Sequence, residues 1–161
     1  MEIRPDIPDA LLEKAQVLLK LKEPRDALKL LETAAQLQPG SAHICFRRAE
    51  ALAILQRRAE AVAQLREAVR LQPDFGEARY LLGVELALDG NVREAAEQFQ
   101  EVIRLSPGLA LGHLNLGIAL AKLGRVNDAA DQFRETLRLE PGNRKAAEYL
   151  AQLGRGPRRL P

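Results

Sequence analysis

Apolar residues recur along this chain at helical spacing, in runs of about fourteen residues parted by short polar or Gly/Pro breaks, and the whole pattern then repeats. Four prolines, Pro39, Pro73, Pro107 and Pro141, stand 34 residues apart in the phrases LQPG, LQPD, LSPG and LEPG. With each proline at position 32 of its unit, the repeats run 8–41, 42–75, 76–109 and 110–143 without a gap. Position 20 is always alanine (Ala27, Ala61, Ala95, Ala129) and position 11 always leucine (Leu18, Leu52, Leu86, Leu120). Position 30 is leucine throughout (Leu37, Leu71, Leu105, Leu139), and position 24 holds Leu31, Leu65, Phe99 and Phe133. Within a unit these residues mark two helices, at positions 1–14 and 17–30. Each unit is predicted to be a helix hairpin.

The break between helices has a local cause. Gly90 and Gly124 occupy position 15 in the last two units, where a left-handed residue ends a helix, and Pro24 suits the first turn of the next helix in the first unit. Alanine at position 20 lets the two helices of a hairpin approach closely. Residues 144–153 read as the first helix of a fifth unit that stops, a cap over the last hairpin. The charge-rich first repeat (Asp9, Glu13, Lys14, Lys20, Lys22) reads as the opposite cap, residues 1–7 as an irregular leader and 154–161 as a basic tail.

The pattern resembles the tetratricopeptide repeat, with W-x2-L-G-x2-Y, then A-x3-F, then P over about 34 residues. The likeness is strongest in the third repeat (Leu82, Gly83, Leu86, Ala95, Phe99, Pro107) and the fourth (Leu116, Gly117, Leu120, Ala129, Phe133, Pro141). The first two repeats depart at the Leu-Gly pair, with Lys14 and Ala15, then Arg48 and Ala49. The resemblance implies an all-α fold, an α-solenoid of helix-turn-helix hairpins wound as a right-handed superhelix, and a non-catalytic protein-interaction scaffold.

In that family the first helix of each hairpin lines a concave groove through positions 2, 5, 6, 9, 12 and 13. In the second repeat these are His43, Phe46, Arg47, Glu50, Ala53 and Ile54. In the third they are Glu77, Tyr80, Leu81, Val84, Ala87 and Leu88, and in the fourth Leu111, Leu114, Asn115, Ile118, Ala121 and Lys122. Most are apolar, whereas the outward stripe of the third repeat's second helix (Arg93, Glu94, Glu97, Gln98, Gln100, Glu101, Arg104) is wholly polar. The contrast predicts a groove that docks an apolar or amphipathic helix or an extended peptide. Phe46, Tyr80, Leu81, Val84, Leu88, Leu111, Leu114 and Ile118 would line it; Arg47, Glu50, Asn115 and Lys122 would set orientation. Two readings compete: neighbouring helices cover the stripe, or a second copy or another part of a longer chain fills it. The alternative function is an appendage or oligomerisation domain of a larger enzyme or membrane protein, and the Ala/Leu/Arg-rich composition suits a bacterial source.

Two devices of the family are not matched. A C-terminal-carboxylate clamp would need Lys and Asn at positions 5 and 9, Asn at 6 of the next repeat, and Lys and Arg at 2 and 6 of the third. The two frames supply Leu12, Gln16, Arg47, Glu77 and Leu81, or Phe46, Glu50, Leu81, Leu111 and Asn115. Asn115 matches one rung of a peptide-gripping amide ladder, but Arg47 and Leu81 replace the others. It is therefore expected to be a plain exposed helix asparagine.

Composition narrows the function classes. At 161 residues, 47% hydrophobic and 29% charged, the chain can bury a substantial core. It has no run of some 18 apolar residues for a membrane span and no signal-peptide layout, and a single cysteine, Cys45, fits a reducing compartment. A cytoplasmic location is expected. Net charge is +2, but Arg144, Lys145, Arg155, Arg158 and Arg159 against Glu148 near the C-terminus leave the body weakly acidic, which argues against nucleic acid. His43 and His113 sit at different repeat positions, so no metal site is expected, and Cys45 and His113 share a packing position that predicts burial. No phosphate-binding glycine loop, cofactor site or catalytic set is expected.

Overall fold

The computed structural model describes residues 6–154. The described residues form nine helices and no strand: α1 (Asp6–Lys20), α2 (Pro24–Leu37), α3 (Ala42–Ile54), α4 (Arg58–Leu71), α5 (Gly76–Leu88), α6 (Val92–Leu105), α7 (Ala110–Lys122), α8 (Val126–Leu139) and α9 (Arg144–Leu153). These are the paired helices that the periodicity predicts. α1 begins at Asp6 rather than after a leader ending at residue 7, because Pro8 falls in its first turn, where a missing N–H breaks no intrahelical bond. Residues 1–5 of the expected leader, and all of the basic tail except Gly154, lie outside the described residues.

The first helix of each of the four hairpins ends the same way. The N–H of position 16 bonds the carbonyl of the position-11 leucine: Glu23 to Leu18, Arg57 to Leu52, Asn91 to Leu86 and Arg125 to Leu120, each at 2.9 Å. The N–H of position 15 reaches position 12 in the same turns, which completes a Schellman motif. Position 15 is left-handed in all four: Gly90 and Gly124, but also Lys22 (φ 62°) and Gln56 (φ 60°). The first two hairpins adopt the turn that glycine favours without having glycine.

The chain divides into two compact units, Met1–Ala78 and Arg79–Pro161. In the first, α1 packs on α2, α2 on α3 and α3 on α4, with α1 also touching α3. In the second, α6 packs on α7, α7 on α8 and α8 on α9. Position-20 alanines are sealed in both units: Ala27 and Ala61 in the first, Ala95 and Ala129 in the second. Gly83 and Gly117 sit under the rings of Phe99 and Phe133, where an added Cβ would stand 2.7 Å and 2.6 Å from the nearest ring carbon. In the first unit alanine (Ala15, Ala49) takes the glycine position and leucine (Leu31, Leu65) the phenylalanine position, all four buried. The departures from the Leu-Gly pattern are thus a volume-conserving exchange.

Candidate functional site

In the first unit the predicted stripe is closed at one position only: Ile54 is 51% exposed, His43 is exposed, and Arg47, Glu50 and Ala53 are half-buried. Phe46 is only 7% exposed. Phe75, in the turn after α4, folds back on α3, with its ring centroid 5.0 Å from that of Phe46 and 4.9 Å from that of His43. The Arg47 guanidinium lies 5.2 Å from the Phe46 centroid and its Nη1 donates to Glu50 at 2.7 Å, so these two orienting residues satisfy each other. Phe46 is a core residue of this unit. The sequence reading missed Phe75, although its place is occupied by Ser41 and Asn143 at other repeat ends, where each caps a helix by accepting a backbone N–H. An aromatic residue cannot cap in that way, and its ring is free to pack instead.

In the second unit α5 and α7 present a half-open apolar surface. Tyr80, Leu81 and Val84 on α5 and Ile118 on α7 are half-buried; Leu88 is 61% and Leu111 44% exposed. Leu114, by contrast, is 5% exposed and belongs to the core. Lys122 is exposed at the end of α7. Asn115 is not the plain exposed asparagine expected: it is half-buried, and its Nδ2 donates to the Tyr80 hydroxyl at 3.0 Å, tying α7 to α5. Burial raises the Tyr80 phenol pKa, and the bond from Asn115 opposes that rise. The ring of Tyr80 leans on Phe99 at 6.0 Å. The polar centre of this surface is thus tied by a hydrogen bond and backed by an aromatic ring.

The residues with chemical potential are spent on structure. His113 is buried, with Nε2 2.9 Å from the Pro107 carbonyl and Nδ1 2.9 Å from Gln132 Oε1. The Cys45 thiol is half-buried; desolvation, then the nearby Glu67 carboxylate, pushes its pKa up, away from a reactive thiolate. Among the described residues no cluster of His, Cys, Asp or Glu could hold a metal ion, and no helix is long and apolar enough to cross a membrane. Two open depressions of about 460 Å³ lie near the hairpin turns, one beside Arg25, Lys29 and Arg57, the other beside Asn91, Arg93 and Lys122. Both are charged at the rim and open to solvent, unlike a ligand cavity.

Helix hairpins of fixed length, with a small residue under a large one in every unit, define a helical-repeat protein of the scaffold type. Tetratricopeptide-repeat family models match residues 12–61, 46–110 and 110–143. The chain belongs to the tetratricopeptide-repeat family. No curated protein sequence matches it significantly. Among solved structures it is similar to MamA 41-end from Desulfovibrio magneticus RS-1, with TM-score 0.88 and 20% identity over 94% of this chain and 86% of that one. A second MamA crystal structure gives 0.80 and 24% over 90% and 83%. PilF of Pseudomonas aeruginosa gives 0.81 and 21% over 92% and 68%. At these identities the likeness is one of fold, and the fold supports a protein-interaction scaffold.

Proposed function

We propose that the protein is a non-catalytic interaction module and that the α5–α7 surface of its second unit receives the apolar side of a helix or extended peptide. The observation that carries the reading is the exposure of Leu88 and Leu111 beside half-buried Tyr80, Leu81, Val84 and Ile118, on the first helices, while the second helices present paired charges. Asn115 retains a carbonyl oxygen that can accept from a partner's backbone, and Lys122 supplies a cation at one end. Phe46 and Leu114 drop out as direct contacts because they are buried, and Arg47 and Glu50 are already paired. The weakly acidic body disfavours nucleic acid as the partner, and a lone, unreactive thiol suits the cytoplasm.

The test uses two exposed positions, so that folding is preserved. Affinity capture with wild type and with the Leu88→Glu, Leu111→Glu double variant is followed by a binding titration of each captured polypeptide in purified form. Binding that weakens at least about tenfold in the variant, with helical signal and melting temperature unchanged, supports the surface. Equal affinity of the two proteins for every captured polypeptide rejects it.

A further inference from the structure

Positions 4 and 23 of the repeat meet through a side-chain hydrogen bond in the third and fourth hairpins. Along the array these positions hold Leu11 and Leu30, Cys45 and Gln64, Arg79 and Gln98, and His113 and Gln132. In the third hairpin Arg79 Nη1 donates to Gln98 Oε1 at 3.1 Å. In the fourth, His113 Nδ1 stands 2.9 Å from Gln132 Oε1, and on the other side of the ring Nε2 stands 2.9 Å from the Pro107 carbonyl. One imidazole on α7 therefore joins the turn after α6 to α8. The ring is buried, so its nitrogens depend on these two partners rather than on water.

A backbone carbonyl can only accept, so the Pro107 bond places a proton on Nε2. The two charge states of the ring then make opposite demands at Nδ1. Protonated, Nδ1 donates and suits the Gln132 oxygen, which is the pattern that Arg79 makes with Gln98. Neutral, Nδ1 offers a lone pair, and an oxygen opposite it leaves two acceptors face to face. A glutamine can answer both demands, because its amide presents an oxygen or, turned end for end, an NH2 group at nearly the same place. We propose that His113 and Gln132 form a proton-dependent switch: the protonated ring donates to Gln132 Oε1, and on loss of the Nδ1 proton the amide turns so that its NH2 donates to Nδ1. The Gln132 backbone stays in the helix, where Thr136 Oγ1 donates to its carbonyl at 2.9 Å, so only the side-chain amide has to move. Charged groups on the helices packed against α7 are engaged within their own helices. Glu135 on α8 feels the ring's charge but takes two hydrogen bonds from Arg138, and Glu101 and Arg104, the α6 charges nearest in sequence to Pro107, pair with each other. In either state the ring bonds Pro107 on one side and Gln132 on the other. Thus α7, which carries Leu111, Asn115 and Ile118, keeps its tie to α8 as the ring changes charge, whereas the arginine of the third hairpin has one state only.

NMR of the full chain, observing the His113 ring nitrogens and the Gln132 side-chain amide through a pH series that takes the ring from protonated to neutral, tests the proposal. The neutral ring should carry its proton on Nε2. The Gln132 amide protons should shift in step with the ring, one of them moving downfield as it enters the bond to Nδ1. In Glu135→Gln, which removes the neighbouring carboxylate, the same response should persist. In His113→Arg, which copies the third hairpin, the Gln132 amide should keep one set of shifts throughout. A neutral ring protonated on Nδ1, or Gln132 amide protons that do not respond while the ring titrates, overturns the proposal. So does a response that disappears in Glu135→Gln or survives in His113→Arg, since either result assigns it to a group other than the ring.

Discussion

Gly83 shows how one hydrogen atom at Cα sets the spacing of a hairpin. A methyl group there would press on the ring of Phe99, so Gly83→Ala must displace either the ring or the backbone. Overpacking of this kind costs about 1–3 kcal/mol. Urea denaturation of Gly83→Ala should show a loss in that range, and Phe99→Leu added to it should recover part of the loss by recreating the Ala/Leu pair of the first unit. Failure of the second change to recover anything would mean that the pairing of small with large residues is incidental. The left-handed turns give the opposite sign. Lys22 and Gln56 hold positive φ without being glycine, so Lys22→Gly and Gln56→Gly should each stabilise by about 1 kcal/mol, read as a shift in denaturation midpoint at constant slope. Position 15 was visible in the sequence as glycine only in the last two repeats. Its conformation in the first two follows from the Schellman hydrogen bonds, which residue identity there does not announce.

Along whole helices the period placed nearly every boundary, because proline and glycine punctuate it and alanine and leucine recur in fixed register. What covers each helix face was less legible. Phe46 and Tyr80 share position 5 of their repeats, yet Phe75 folds over the first and the second stays half-open. Likewise the bond between Asn115 and Tyr80 joins residues 35 apart, one repeat plus one residue, and becomes visible only when neighbouring first helices lie side by side. The second helices carry a different, solvated chemistry. Glu60, Glu67 and Glu135 each take a hydrogen bond from an arginine three residues away (Arg57, Arg70, Arg138), which lowers the carboxyl pKa of all three. Their small contribution to stability is complete above the ordinary glutamate pKa and is lost as pH falls through the lowered one. A carbon-detected NMR titration should find their midpoints below that of a free glutamate, and 1 M salt should move them back toward it. Because these pairs lie at the surface in reach of water, Glu67→Gln should leave the melting temperature almost unchanged.

Across a molecule built of repeats, stability is a sum of hairpins and of the contacts between neighbours, so a lesion is felt locally and next door. Ala95 on α6 is sealed, and α6 also packs against α7. Ala95→Leu should therefore separate α6 from its surroundings and loosen the following hairpin as well. Hydrogen exchange resolved by residue is the measurement: amides of α6 and α7 should lose protection together, each opening made easier by about 1–3 kcal/mol. Loss confined to α6 would mean that the hairpins act independently and that the α6–α7 contact contributes little. The outcome also bears on function, because α7 carries Leu111, Ile118 and Asn115. If the two helices loosen together, Ala95→Leu should weaken partner binding without touching a binding residue, since the Asn115–Tyr80 bond that holds the surface depends on where α7 is seated. Binding unchanged while α7 loses protection would show instead that the partner itself orders α7 on docking.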